Sequence, residues 1–198
     1  MALRLLEAIK DQDLPPEVFE EENPTITMPR RLGLSGVVDR QIRTYRDDVR
    51  RGVRLTDSEI RDLFRLVIRR PDGEHIFRRL GGALGGGDLG GGWGSRLPKG
   101  LAMALARRRT AKLLKRLFGR RVGGFARGPF SLEGRSLPFI EADPGGEACA
   151  FMVGLCEAVL RQTVRDDVQV EHTLCQSRGD SLCRWEASTA SAPQPLPG

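Results

Sequence analysis

The segment VQVEHTLCQSRGDSLCRWEA, residues 168–187, leaves the chain few conformational choices. Val168, Val170 and Leu174 alternate with polar residues, as a strand buried on one face requires. Arg178-Gly179-Asp180 has the composition of a turn, and SLCRWEA returns as a second strand. A two-stranded hairpin is marginal by itself, so the rest of the chain must cover its apolar face. Cys175 and Cys183 flank the turn, with Glu171 and His172 just ahead of the first. Three readings are open for this pair: a metal site, buried thiols acting as small hydrophobes, or a disulfide.

Upstream, the hydrophobic period lengthens from two to between three and four. Val38, Ile42, Tyr45 and Val49 fall on one helical face, with Ser35 at its start and Gly52 at its end. Thr56 and Glu59 form a capping box ahead of Ile60, Leu63, Phe64 and Val67, and Pro71 ends that helix. PDGEHIFRRL begins another helix, with Asp72 and Glu74 complementing the N-terminal dipole. LAMALARRRTAKLLKRLFGRR is a strong helix former, with Leu101, Leu105, Leu113, Leu114 and Leu117 expected in the core. EACAFMVGLCEAVLRQTV is a further helix, with Ala148, Phe151, Leu155, Val159 and Val164 near one face. Between these last two, glycines and prolines divide residues 122–146 into short strands or turns.

Three stretches look different. Residues 81–100 include 10 glycines, each costing a helix about 1 kcal/mol relative to alanine, so a loop is expected there, with Trp93 at its apolar tip. Residues 1–24 hold a Pro-Pro pair and an acidic cluster and read as a tether, and 188–198 as a disordered tail. One domain over 25–187 remains, opening with a short strand at Thr25–Met28.

Residues 1–23 carry two basic side chains against seven acidic ones in a chain of net charge +6, so an acidic arm precedes a basic body. From Arg96 to Arg121 there are ten basic residues and no acidic one. Such a helix can lie on anionic lipid or a nucleic-acid backbone, or present a solvated face. No aromatic residues interleave with the cations as a stacking platform needs, which argues against nucleic acid. No run is long and apolar enough for a transmembrane segment, and the N-terminus gains acids too early for a signal peptide, so a cytoplasmic location is expected. Four cysteines in that compartment favour thiols or metal ligands over a disulfide.

Cys149, in the last helix, could dock a third thiolate beside the hairpin, and zinc accepts such sulfur and nitrogen donors readily. Strand alternation complicates the fourth position. Glu171 and Cys175 share a face while His172 does not, and four extended residues span about 13 Å, so the chain must bend before Cys175 for either to join.

Cys149, Gly154, Cys175, Gly179, Asp180, Cys183 and Trp185 together resemble, in order, the C-terminal signature of the 4-vinyl-reductase domain family. MPRRLGLSGVVDRQIRTYR and IFRRLGGAL are similar to its N-terminal segments in a less specific way. The resemblance implies an α/β (α+β) fold like that of the TRAPP trafficking subunits, with helices packed on a small antiparallel sheet and often a homodimer. In aromatic-sensing bacterial regulators of the family, three Cys and one Glu hold a structural zinc beside a hydrophobic pocket. Carried over, the cysteines are Cys149, Cys175 and Cys183. The family's Glu position falls on His172, with Glu171 one residue earlier, so either His172 replaces it or a one-residue bulge brings Glu171 in; His172 is preferred. Cys156 has no counterpart and reads as a buried thiol.

The leading functional expectation is a sensory domain for a hydrophobic small molecule, with structural zinc and a protein partner that carries the signal. Phe64, Phe77, Phe125, Phe130 and Phe151 are the candidate lining, with His75 as a polar handle. A dimeric TRAPP-like adaptor is the alternative, and an accessory role in tetrapyrrole vinyl reduction is the third. Self-sufficient reduction is disfavoured because no Gly-x-Gly-x-x-Gly joins a strand to a helix, and no nucleophile and base are arranged for hydrolysis.

Overall fold

The computed structural model describes residues 2–13, 36–53, 56–87, 97–120, 122–128, 130–137, 139–164 and 168–189. Among them six helices share a core with a small antiparallel sheet. The helices are α1 (Ala2–Asp13), α2 (Gly36–Arg50), α3 (Asp57–Ile68), α4 (Gly73–Gly85), α5 (Lys99–Phe118) and α6 (Ala150–Thr163). The strands are β1 (Gly124–Phe125), β2 (Ser131–Gly134), β3 (Val168–Leu174) and β4 (Cys183–Thr189), in spatial order β1-β2-β4-β3. The expected mixed fold, helices with a small antiparallel sheet, is therefore present.

Local chemistry accounts for most element boundaries. The amide of Glu59 donates to Thr56 Oγ1 and the amide of Thr56 to Glu59 Oε2 at 2.8 Å, closing the capping box that starts α3. The Thr56 amide, and then its hydroxyl, both donating to Glu59 Oε2, hold the Glu59 carboxyl below its ordinary value. In the sheet, Phe125, Leu132, Trp185 and His172 lie in register across the four strands. Leu132 and Trp185 are buried on this side, and the indole Nε1 donates to the Cys149 carbonyl at 3.2 Å. Residues of the opposite alternation form the polar face, where Arg184 binds Glu133 at 2.6 Å and Ser131 binds Glu186.

Helix α6 is the centre of the molecule. Eleven of its fourteen residues, Ala150 included, are buried, as expected of a helix enclosed by neighbours. It packs along α4, and here the sequence-based expectation of a loop over 81–100 needs correction. Gly81 to Gly85 continue α4, while Trp93 lies outside the described residues. A Cβ on Gly81 would collide with the Phe151 carbonyl, one on Gly154 with the Arg78 carbonyl, and one on Gly85 would lie 2.6 Å from the Leu155 carbonyl. The glycines let two backbones touch, and that packing outweighs their poor helix propensity.

Two further expectations change. Ala2–Asp13 is a helix rather than a tether: Leu5 and Leu6 are buried and α1 lies against α2 and α4. On α5 the buried stripe is Ala102, Ala106, Thr110, Leu114 and Phe118, so Leu101 faces outward at 59% exposure. The packed side runs at four-residue spacing from small residues to Leu114 and Phe118, leaving the rest of the expected leucine stripe partly rotated away. The strand expected at Thr25–Met28 and the remainder of the tail fall outside the described residues, and β4 extends through Thr189.

Candidate metal centre

The hairpin of β3 and β4 brings its donors together through one irregularity. His172 stands opposite Trp185, but Leu174 stands opposite Arg184, so Thr173 and Leu174 occupy the space of one partner. This is a β-bulge, and one extra residue reverses the side-chain alternation beyond it. His172 and Cys175, three apart, are thereby brought to the side shared by Trp185 and Cys183. Thr173 Oγ1 donates to Glu186 Oε2 at 3.1 Å across the bulge. The bend required by the sequence therefore exists, and it selects His172. Glu171 is exposed and paired in register with Glu186, so it is not in the cluster.

Beyond the bulge the chain folds back on itself. The Cys175 carbonyl accepts the amides of Arg178 and Asp180, and the Cys175 amide donates to Asp180 Oδ2 at 2.7 Å. Gly179 takes the left-handed conformation that closes this turn, at φ +101°. The amide of Gln176 donates to Cys183 Sγ at 3.3 Å, a contact suited to a thiolate.

The third cysteine arrives from the opposite side. Asp143 is buried, and its carboxylate accepts the amides of Gly146 at 2.9 Å and Ala148 at 2.5 Å. The short 3-10 turn Glu147–Cys149 follows and leads into α6, placing Cys149 at that helix's N-terminal end. Gly146 has φ +82°, and a Cβ there would lie 2.8 Å from Cys175 Sγ. The glycine thus permits this turn to approach the hairpin.

The ligand atoms of Cys149, His172, Cys175 and Cys183 all lie within 4.8 Å of one another. The three cysteines are buried and His172 is partly buried. Four sulfur donors around tetrahedral zinc stand about 3.8 Å apart, given Zn–S bonds near 2.3 Å, so this cluster is close to a coordination shell. All four cysteines of the chain are free thiols. His172 stacks on Trp185, ring centroids 5.1 Å apart and planes 10° from parallel, while its Nε2 is buried without a hydrogen-bond partner. An unsatisfied buried nitrogen beside three thiols is costly unless a cation or proton joins them.

The electrostatics are consistent with a cation site. The Cys149 thiol, the His172 ring and the Gln176 amide together bring the Cys183 thiol down to about 5 against the effect of burial, the Cys149 bond being the largest cause. The same bond to Cys183, then burial, pushes Cys149 up. Three thiols this close cannot all ionise unaided, whereas a divalent ion would stabilise all three thiolates. Cys156 lies elsewhere in α6, fully enclosed; burial followed by the charge of Glu157 raises its pKa.

The aromatic candidates divide into two groups. Phe64 stacks on Phe77 at 4.8 Å and on Phe139 at 5.5 Å, and Phe139 meets Phe151 at 6.3 Å. Phe125 and Phe130 form a separate edge-to-face pair at 5.1 Å. His75 is exposed on α4 near Asp72, on a different side from the buried Phe77, so the structure does not bring it to these rings. Phe139 and Phe118 belong to the larger ring cluster although no periodic pattern singled them out. Asp143 and Gly146 were likewise visible only as part of a turn-rich stretch. No protein-family model, curated protein or solved structure matches this chain.

Proposed function

We propose that this domain is a non-catalytic sensory module that binds a hydrophobic small molecule, is clamped by one structural zinc ion, and signals through a protein partner as a homodimer. The observation that carries the proposal is the closed Cys3His set: four protein donors leave zinc no open position, which suits a structural ion rather than a catalytic one. Cys149, His172, Cys175 and Cys183 would hold it. Bound there, zinc would tie the start of α6 to the β3–β4 hairpin.

The sensory part of the proposal draws support from chain continuity. Cys149 and Phe151 are two residues apart at the start of α6, one in the donor cluster and the other in the ring cluster. An apolar ligand that displaced Phe151 would therefore pull on the clamp. The residues behind the family resemblance also have local roles: Gly154 admits α4, Gly179 closes the turn, Asp180 holds Cys175, and Trp185 bonds Cys149.

A native mass spectrum of the full chain, followed by the same sample after denaturation, tests the reading. The expected result is a dimer carrying one zinc per chain and an organic molecule released on denaturation. A zinc-loaded protein with neither retained ligand nor binding to small aromatic probes would leave the clamp and remove the sensor. A chain without zinc would remove both.

A further inference from the structure

Helix α5 differs from the rest of the molecule in its charge pairing. Elsewhere, basic side chains meet acids about one turn away: Arg4 with Glu7 at 3.1 Å, Arg51 with Asp48 at 2.7 Å, Arg65 with Asp62 at 3.2 Å. In α5 there is no acid over twenty residues. Arg108, Arg109, Lys112, Lys115 and Arg116 have no ion-pair partner among the described residues, and all but the half-buried Arg109 are exposed.

The exposed cations also share a line. At 100° per residue, Leu101, Arg108, Lys112 and Lys115 fall within about 40° of one stripe, extending about 21 Å along the helix. Its N-terminal end is apolar: Leu101 is 59% exposed and Leu97, just ahead of the helix, 40%. These are two of the four large apolar side chains exposed among the described residues. The inner side of α5 is occupied by contacts with the core, so the stripe is its free face.

We propose that this stripe is a peripheral membrane contact, with α5 lying along an anionic lipid surface, Leu97 and Leu101 entering the headgroup boundary and Arg108, Lys112 and Lys115 facing the lipid charges. Unpaired cations select a polyanion. The leucines select lipid over nucleic acid, because a sugar-phosphate backbone offers them no apolar partner, and no exposed aromatic of α5 is present to stack a base. No helix among the described residues is long and apolar enough to cross a membrane, so the contact lies on the surface. The inference is independent of the zinc site and of the sensory reading.

Flotation of the full chain with vesicles of phosphatidylserine and phosphatidylcholine, beside vesicles of phosphatidylcholine alone, tests it. Each cation near an anionic leaflet strengthens binding by about fivefold, so the triple variant Arg108→Gln, Lys112→Gln, Lys115→Gln should bind the anionic vesicles about a hundredfold more weakly. Leu101→Ser should weaken the binding that survives added salt. All four positions are on the surface, and an unchanged unfolding midpoint would show that the fold is intact. Equal binding to the two vesicle types, or undiminished binding by the triple variant, would overturn the proposal. So would tight binding to a DNA duplex with none to vesicles.

Discussion

The two ends of α6 are held by different means. Its later turns rest on contacts complete within the protein: Gly154 against α4, and Glu157 bound to Arg78 at 2.7 Å, to Arg161 at 3.3 Å and to the Val170 amide. Its N-terminal end, at Cys149, lies against the hairpin's Cys175, Cys183 and the unsatisfied His172 nitrogen, a set of donors that could hold a metal ion. The contrast sets packing, which any condition short of unfolding preserves, against the proposed coordination, which a chelator would remove.

The largest effect should come from the packed end. Gly154→Leu would drive a side chain into the Arg78 carbonyl and should cost about 4 kcal/mol or more, read by urea unfolding with and without metal. Gly82, on the same α4 helix, has open space around its Cβ position, so Gly82→Ala should instead stabilise by about 0.5–1 kcal/mol. If the two variants behave alike, close backbone approach is not what holds α4 to α6.

At the end with the proposed zinc site, Cys183→Ser should cost about 4 kcal/mol when zinc is at a thousandfold excess over its dissociation constant. A strong chelator should reduce the wild type and this variant to similar stability. A cost that persists undiminished in chelator would make the cysteine a packing residue and erase the contrast.

Glu157→Gln removes charge from a carboxylate that is itself buried, but both arginines are more than half exposed and solvent screens them. The expected loss is about 1 kcal/mol, independent of chelator. An effect of similar size lies outside α6. Thr56→Ala should cost about 1 kcal/mol at neutral pH through the α3 cap. Because the Glu59 pKa is lowered on folding, its contribution is present above the unfolded carboxyl pKa of 4.5 and lost as pH falls through the folded value. The difference between wild type and Thr56→Ala should therefore narrow in acid, measured as denaturation midpoints across pH.

The sequence was most informative where structure is local. The Thr56–Glu59 box and the Ile60, Leu63, Phe64, Val67 stripe determine α3 with little help from elsewhere. Alternation likewise identified the β3–β4 hairpin. The bulge at Thr173–Leu174 was not legible, because no glycine or proline marks it and its position depends on pairing with β4. This is why parity alone placed Cys175 on the face of Glu171, away from His172. Gly81 and Gly85 misled for the opposite reason: their helix propensity is poor in isolation, and the reward for lacking a Cβ comes from α6, seventy residues away. In α1 the acidic residues that suggested a tether obscured Leu5 and Leu6, whose burial depends on α4. The three cysteines were found through their spacing and resemblance, whereas the supporting Asp143 and Gly146 become recognisable only when the turn meets the hairpin.

The most direct test is the zinc content of purified protein after mild chelation, compared across wild type, Glu171→Ala, His172→Ala and His172→Cys. The account predicts one zinc per chain in the wild type, no change in Glu171→Ala, a marked loss in His172→Ala, and retention in His172→Cys, where a fourth thiolate replaces the imidazole. Zinc well below one per chain in the wild type, or loss caused by Glu171→Ala while His172→Ala retains it, would contradict the account.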